Sequence, residues 1–501
     1  MAFRTQVKRL AIAALVAGGM LEGALLKGVA LDNQTGRPLA RARVSLEPVG
    51  RTSAQTPPAM FADSSGQFVF VGLPAGAYLV KAEKRGYLTA RFGQRKWDLP
   101  GTPVVLDSEG HFMAEIRMQR LGAISGEVVD ENRLGLPGQG VYAWRLGRQI
   151  RLAAGAETDD RGVFRIAGLG PGRYYIRTTQ REMEDRQGLL PTYFGQVLRA
   201  QEARVVELAP EQEVGGVHIT PFHGRLSTLA VTLAGDVPAR VILMTDTGRR
   251  DQSTQPGGTV EFDQLAPGEY EVVAEGGGGA ELKVAQSTIV VGKERELVTL
   301  QLQPAPRLLA RCVDQQGRAR NPPSMSIFVR RREGVEEAER KRVRCGETLS
   351  LTPGEWEFAA VAPPDQYVAA VRGAVPGGTS YIVKMLGQGV QEVTVVIERQ
   401  PSKLAGKVTM VDGTGAVGAP VFLYAIDMDL RSRLGGVRMV RSNQNGGYEF
   451  VGLAPGHYEV ISSYALQDPG EAEWPPGRGA AVNVEAGREK TLDVEVVEEV
   501  R

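Results

Sequence analysis

The chain has 501 residues, with 59 basic and 58 acidic side chains and a formal net charge of +1. That balance leaves no field to draw in nucleic acid or an anionic lipid surface, so nucleic-acid partners are set aside. Glycine at 62 and proline at 29, set among short Val-rich runs, point to many strands joined by tight turns.

Taken in chain order, the first element is a basic stretch, Arg4, Lys8 and Arg9, followed by an apolar run over 10–21. This is the layout of a secretory signal, too short to span a bilayer. Glu22 sits awkwardly where a cleavage site would fall, so 1–23 is read as a signal peptide or an N-terminal anchor. No later stretch is long and apolar enough for a membrane helix, and no membrane span is expected in the mature chain. The expectation is an exported protein: periplasmic, cell-surface or extracellular.

Next comes a strand, a polar turn and a second strand, running from Gly28 through Asp32, Gly36 and Pro38 to Val44. A motif follows: Gly66-x-Phe68-x-Phe70-x-Gly72-Leu73-Pro74-Ala75-Gly76-x-Tyr78. Alternation puts Phe68 and Phe70 on one face of a strand. The Pro/Gly step supplies a tight turn, and a new strand starts at Tyr78, so the pair is a hairpin or an arch.

The motif recurs. The second copy keeps Gly162, Phe164, Ile166, Gly168, Leu169, Pro171, Gly172 and Tyr174. The third keeps Gly258, Val260, Phe262, Leu265, Pro267, Gly268 and Tyr270. The fourth is reduced to Leu351, Pro353, Gly354 and Trp356, and the fifth runs from Gly446 to Tyr458 in full. The aromatic anchors stand 96, 96, 86 and 102 residues apart. Their place after the turn argues for core or corner packing. The upstream strand pair also recurs, at Ile124 to Val141 and at Leu404 to Val421. Asx-type turns at Asp63, Asp159 and Asn443 precede three copies, and such turns work without metal. No amphipathic helix is expected anywhere. About seven short strands per repeat fit a small Greek-key sandwich.

The pairing of the Gly28–Val44 segment with the Gly66–Tyr78 motif resembles the carboxypeptidase regulatory-like domain. Copies two and five are similar to it as well, with Tyr193 and Phe194 in copy two similar to multi-copy bacterial secreted versions. The resemblance implies a transthyretin-like or prealbumin-like β-sandwich, grouped with carbohydrate-binding-like folds. The fold expected is all-β, a tandem array of about five small Greek-key β-sandwich modules. The expected spans are 24–120, 121–222, 223–304, 305–400 and 401–501. Junctions near 120, 222, 305 and 401 are short, so neighbouring modules are expected to touch.

Catalytic constellations are missing from the sequence. Of the four histidines, His111, His218, His223 and His457, none stands in an H-x-x-E zinc motif. No nucleophile elbow or phosphate-binding glycine loop occurs. The repeat is also similar to collagen-adhesin B-type modules, which imply a Lys–Asn cross-link under a catalytic Glu. Lys407 and Asn483 are placed for it, but the Glu position holds Ala82, Thr178, Ala274, Ala360 and Ser462, so no cross-link is expected. Cys312 and Cys345 lie in one module. They form a disulfide if exported, or remain two buried thiols. The charged stretch 330–344 reads as a solvated hairpin.

The remaining candidate is a row of aromatic rings. In Val44-Ser-Leu-Glu47 the alternation puts Val44 and Leu46 inside. The same register sends Tyr142 and Trp144 outward in module two, and Phe422 and Tyr424 in module five. Flat rings on a sheet suit stacking against sugars, unless a loop such as 146–156 covers them. Tyr193 and Phe194 are candidates of the same kind. The reading is therefore a non-catalytic exported protein that binds carbohydrate or another cell-surface ligand. The alternative is a structural spacer or protein-interaction array with no small ligand. Polysaccharide or envelope proteins are the expected partners, and no cofactor or metal is expected.

Overall fold

The computed structural model describes residues 23–49, 58–147, 150–183, 187–245, 248–322, 324–332, 340–466 and 477–497. The segment read as a signal peptide or anchor, 1–23, lies outside them except for Gly23. Among the described residues, no helix is long and apolar enough to cross a membrane.

Module one shows the wiring. Its strands are β1 (Ala24–Asp32), β2 (Arg43–Pro48), β3 (Met60–Phe61), β4 (Gln67–Leu73), β5 (Gly76–Glu83), β6 (Ala90–Arg91), β7 (Val104–Leu106) and β8 (His111–Met118). One sheet is ordered β4-β1-β8, with β1 and β8 parallel. The other is ordered β3-β2-β5-β6, with β7 also on β5. The motif strand and the anchor strand therefore lie in different sheets, and the Pro/Gly turn between them is an arch. Alternation along β4 buries Phe68 and Phe70 and exposes their neighbours. Their rings meet edge to face against Val44, Leu46 and Tyr78.

All five modules share this plan: a first strand central in one sheet, flanked by the motif strand and by a parallel last strand. Each has its own apolar core. Module four follows the plan although its motif is nearly gone. Its motif strand shrinks to Thr348–Ser350, and a further strand, Gln366–Arg372, joins the sheet on the other side of the last strand.

The glycine of the Gly-Leu step has a specific job. Gly72, Gly168 and Gly452 have φ of 68°, 78° and 72°, at a bulge where the pairing to the first strand slips. Module three lacks this glycine. Gln264 takes the same left-handed conformation, φ 58°, at a strain cost glycine would not bear. Its side chain donates to Glu182 at 2.8 Å across the boundary with module two.

Among the described residues one α-helix departs from the all-strand expectation: α1, Met428–Leu434, in module five. Asp427 caps it by accepting from the Leu430 amide at 2.9 Å, and Gly435 ends it at φ 80°. At seven residues it is too short to show a hydrophobic period. Its cap residues were the only legible signal.

Consecutive modules touch through polar contacts. Asn33 donates to Glu211 at 2.9 Å between modules one and two, and Arg331 pairs with Glu271 at 3.2 Å between four and three. Between modules four and five, Tyr381 donates to Asp429 at 2.6 Å and Arg433 to the Ala369 carbonyl at 2.6 Å. Non-consecutive modules meet too. Val49, Ala77 and Leu79 of module one cluster with Val417 of module five. A Cβ on the adjacent Gly418 would stand 2.6 Å from Pro103 and 2.8 Å from Val49, so only glycine permits this approach. Modules two and four line a common cleft. The array thus doubles back, with module three at the bend.

Candidate functional site

The second strand of module two, β10, pairs with two neighbours in a four-stranded sheet. Continuing the numbering, β9 is Gly122–Val128, β10 Gly140–Leu146, β11 Arg151–Glu157, β12 Val163–Leu169 and β13 Gly172–Thr178. On β10, Val141 and Ala143 are fully buried, while Tyr142 and Trp144 stand on the opposite face, half-buried. The segment expected to form a covering loop is largely strand β11, paired alongside β10. Tyr142 lies over Gly155 of that strand, where a Cβ would approach its ring to 2.4 Å. Trp144 sits opposite Leu152 and Tyr175.

The same face in module five is different. Strand Pro420–Ala425 keeps Val421 and Leu423 in the core, and Phe422 and Tyr424 point the other way, as the register requires. Phe422 is nevertheless only 1% exposed, packed in a satellite cluster with Ile461 and Leu466. Tyr424 lies beneath the Arg431 guanidinium of α1, 4.5 Å from the ring centroid. The expectation of an open ring at Phe422 is therefore corrected, because α1 and the chain near Leu466 cover this face. Tyr193 is likewise only 1% exposed, beneath Arg177, and Phe194 packs partly on the module-two core beneath Arg204.

The repeat motif itself is scaffold. Each anchor donates a hydrogen bond to the carbonyl four residues earlier. Tyr78 reaches Pro74 at 2.8 Å, Tyr174 Gly170 at 2.5 Å and Tyr270 Ala266 at 2.8 Å. Tyr458 reaches Ala454 at 2.7 Å, and in module four the Trp356 indole reaches Thr352 at 2.9 Å. The bond fastens the arch to the start of the strand after it, a tyrosine corner. The constant spacing between turn and ring was the signal for it. The turn side chains are similarly engaged. Asp159 accepts from the amides of Arg161 and Val163 at 3.0 and 2.8 Å, and Asn443 from those of Asn445 and Gly447 at 2.9 and 2.8 Å. The amide bond from Val163, with Arg161 adding to it, lowers the Asp159 carboxyl below its ordinary range.

The two cysteines are bonded, Cys312 to Cys345, with a Cα separation of 5.4 Å. The bridge ties the first strand of module four to the turn before its shortened motif strand. The 330–344 stretch does begin and end as a hairpin, Ser326–Arg331 against Lys341–Val343, with 333–339 outside the described residues. It is less solvated than expected. The Arg330 and Arg331 side chains are each only 19% exposed and are paired with Glu357 and Glu271. Lys407 and Asn483 sit on different sheets, both exposed, which leaves them no route to a cross-link. Among the described residues no group of His, Cys, Asp and Glu could hold a metal ion.

Comparison with known proteins adds the following. No curated protein matches the chain. Among solved structures, it is similar to the TIE protein of Bacillus anthracis, at 12% identity over 75% of this chain and 74% of that one, with a TM-score of 0.17. The minor pilin GBS52 of Streptococcus agalactiae is 17% identical over 40% of this chain and 95% of its own, TM-score 0.25. The shaft pilin SpaA of Lactobacillus rhamnosus GG is 13% identical over 40% and 98%, TM-score 0.24. Likenesses at this level carry no argument about activity. In sequence, residues 26–114, nearly the whole of module one, match the family model of the carboxypeptidase regulatory-like domain.

Proposed function

We propose that the chain is a non-catalytic exported surface protein, built from five sandwich modules spanning 24–120, 121–222, 223–304, 305–400 and 401–501, that meets polysaccharide on the outer face of module two. The observation that carries this reading is the contrast between its two aromatic faces. Tyr142 and Trp144 are both half-buried with ring surface left to solvent, whereas Phe422 is sealed in its own module and the half-buried Tyr424 lies beneath Arg431. Half-open rings in a row on a rigid sheet present flat apolar surface where sugars can stack. The bonded Cys312–Cys345 pair fits an oxidising compartment. The recurring polar groups of the motif already have structural partners, which favours scaffold over catalysis. The contacts between modules one and five favour a folded-back body over an extended spacer.

The test is retention of the full chain on insoluble polysaccharides, compared with a Tyr142→Ala/Trp144→Ala variant whose folding is verified by circular dichroism. Loss of retention supports the reading. Equal retention by the folded variant removes module two's face as the site.

A further inference from the structure

The outer face of the β4-β1-β8 sheet of module one differs from the same face in the other modules. Val69, which stands between the motif's two inward side chains, is replaced by Arg165, Glu261 and Glu449 in modules two, three and five. Those charges join ion pairs across the sheet: Arg165 with Glu213 at 2.9 Å, Glu261 with Arg295, and Glu449 with Lys403 at 2.9 Å. In module four Arg311 and Glu392 pair at 3.5 Å on the same face. In module one these positions are apolar. Val69 and Val71 on β4 and Met113 on β8 are exposed, Val71 at 60% and Met113 at 68%, with Leu25 and Val29 half-buried between them on β1. Lys27 lies in register between Val69 and Met113, so the five apolar side chains form one patch around it. An apolar patch of this kind on a solvent-facing sheet marks a contact.

Module one is also the module whose first strand follows an apolar segment rather than another sandwich. Residues 10–21 are twelve in number and carry no charged, hydroxyl or amide side chain. A segment that packs on a sheet keeps a polar side for water, and this run has none, so it calls for an apolar medium all round. Twelve residues fall short of the ~20 that cross a bilayer as a helix. Kept as an anchor, the run would hold to one membrane surface. Glu22 and Gly23 alone then separate it from Ala24, a reach of ~10 Å even fully extended. Leu25 and Val71 stand at that end of the sheet, since Ala24 pairs with Leu73 and Leu26 with Phe70.

We propose that the outer face of module one's β4-β1-β8 sheet rests on a lipid bilayer, beside an anchor formed by residues 10–21, with Val69, Val71 and Met113 at the boundary between headgroups and acyl chains. Lys27, at the centre of the patch, extends its ammonium to the headgroups while its stem lies among the apolar side chains. The contact is apolar, so the chain's net charge of +1 does not oppose it. It stands apart from the polysaccharide reading of module two, and it makes module one the membrane-facing module.

The test uses the full chain and vesicles of phosphatidylethanolamine and phosphatidylglycerol. Intact mass of the mature chain comes first: loss of residues 10–21 overturns the proposal. Because Cys312 and Cys345 are bonded to each other, one added thiol takes an NBD label, at Val71→Cys or at its counterpart in module two, Ala167→Cys. With vesicles, emission from position 71 is expected to shift to shorter wavelength and to be quenched by spin-labelled lipid, with position 167 unchanged. Val71→Glu/Met113→Glu, both at exposed positions, is expected to weaken vesicle affinity in flotation about tenfold. An unshifted label at 71, or an equal shift at both positions, overturns the contact. So does a label at 71 already shifted without vesicles: a shift lost on dilution means that a second copy covers the face, and a shift independent of dilution means that the chain's own N-terminal segment does. Flotation that the double glutamate variant retains in full also overturns it.

Discussion

Modules two and five carry the same motif, the same corner and the same outward register, yet both rings of one face are half-open while on the other Phe422 is sealed and Tyr424 is capped by an arginine. The difference lies outside the repeat. In module two the residues after the second strand turn back as β11 and extend the sheet edge, leaving Tyr142 and Trp144 half-exposed. In module five the equivalent connection forms α1, whose Arg431 lies on Tyr424, while Ile461 and Leu466 close over Phe422. Strand alternation selects a face. The connection decides whether solvent reaches it.

The largest expected effect that separates the two modules is alkaline. Burial pushes the phenols of Tyr448, Tyr458 and Tyr464 up in module five, and burial with the Asp429 contact does the same to Tyr381 beside α1. In module two burial raises Tyr174. A phenol whose folded pKa exceeds its unfolded value of about 10 stabilises the fold fully below that pH and loses the contribution as pH rises through the folded value. Module five is therefore expected to open before module two as pH climbs above about 10. Protease cleavage sites mapped by mass spectrometry across this range check the order. First cleavage in module two breaks the comparison.

Next in size is Phe422→Ala, expected to cost about 3–5 kcal/mol because it empties a sealed cluster. Tyr142→Ala in the half-open face is expected to cost about 1 kcal/mol. Urea unfolding of the two variants reads the gap, and similar costs would mean that both faces are closed. The corners sharpen the comparison from the other side, since here the modules agree. Tyr174→Phe and Tyr458→Phe each leave a carbonyl without its donor and are expected to cost about 1–3 kcal/mol apiece. A difference above about 1.5 kcal/mol between them contradicts a shared scaffold role.

The smallest effect concerns the roof itself. Asp427→Ala removes the α1 cap at about 1 kcal/mol. It should speed nitration of Tyr424 by tetranitromethane while leaving Tyr142, which α1 does not cover, unchanged. Unaltered Tyr424 reactivity would show that α1 is not what shields it.

The strands, the turns between them and the outward register were legible because each depends on neighbours within a few residues: alternation at Phe68 and Phe70, the Pro/Gly step and the fixed place of the ring after it; that the turn is an arch rather than a hairpin needed the two sheets. Even module four, with its motif almost erased, kept the spacing of Trp356. The helix was missed because seven residues carry no period, and only Asp427 and Gly435 marked it. The bulge glycine showed its purpose only once Gln264 was found in the same left-handed conformation.

By itself, then, the sequence determined the repeated sandwich and which side chains leave its core, since backbone turns and two-residue alternation are local physics. Tertiary structure alone decided that Phe422 is roofed, that module one returns to module five, and that modules two and four share one cleft. Exposure depends on whichever distant segment arrives at a surface, and the array's doubling back, invisible to any local pattern, sets that arrival.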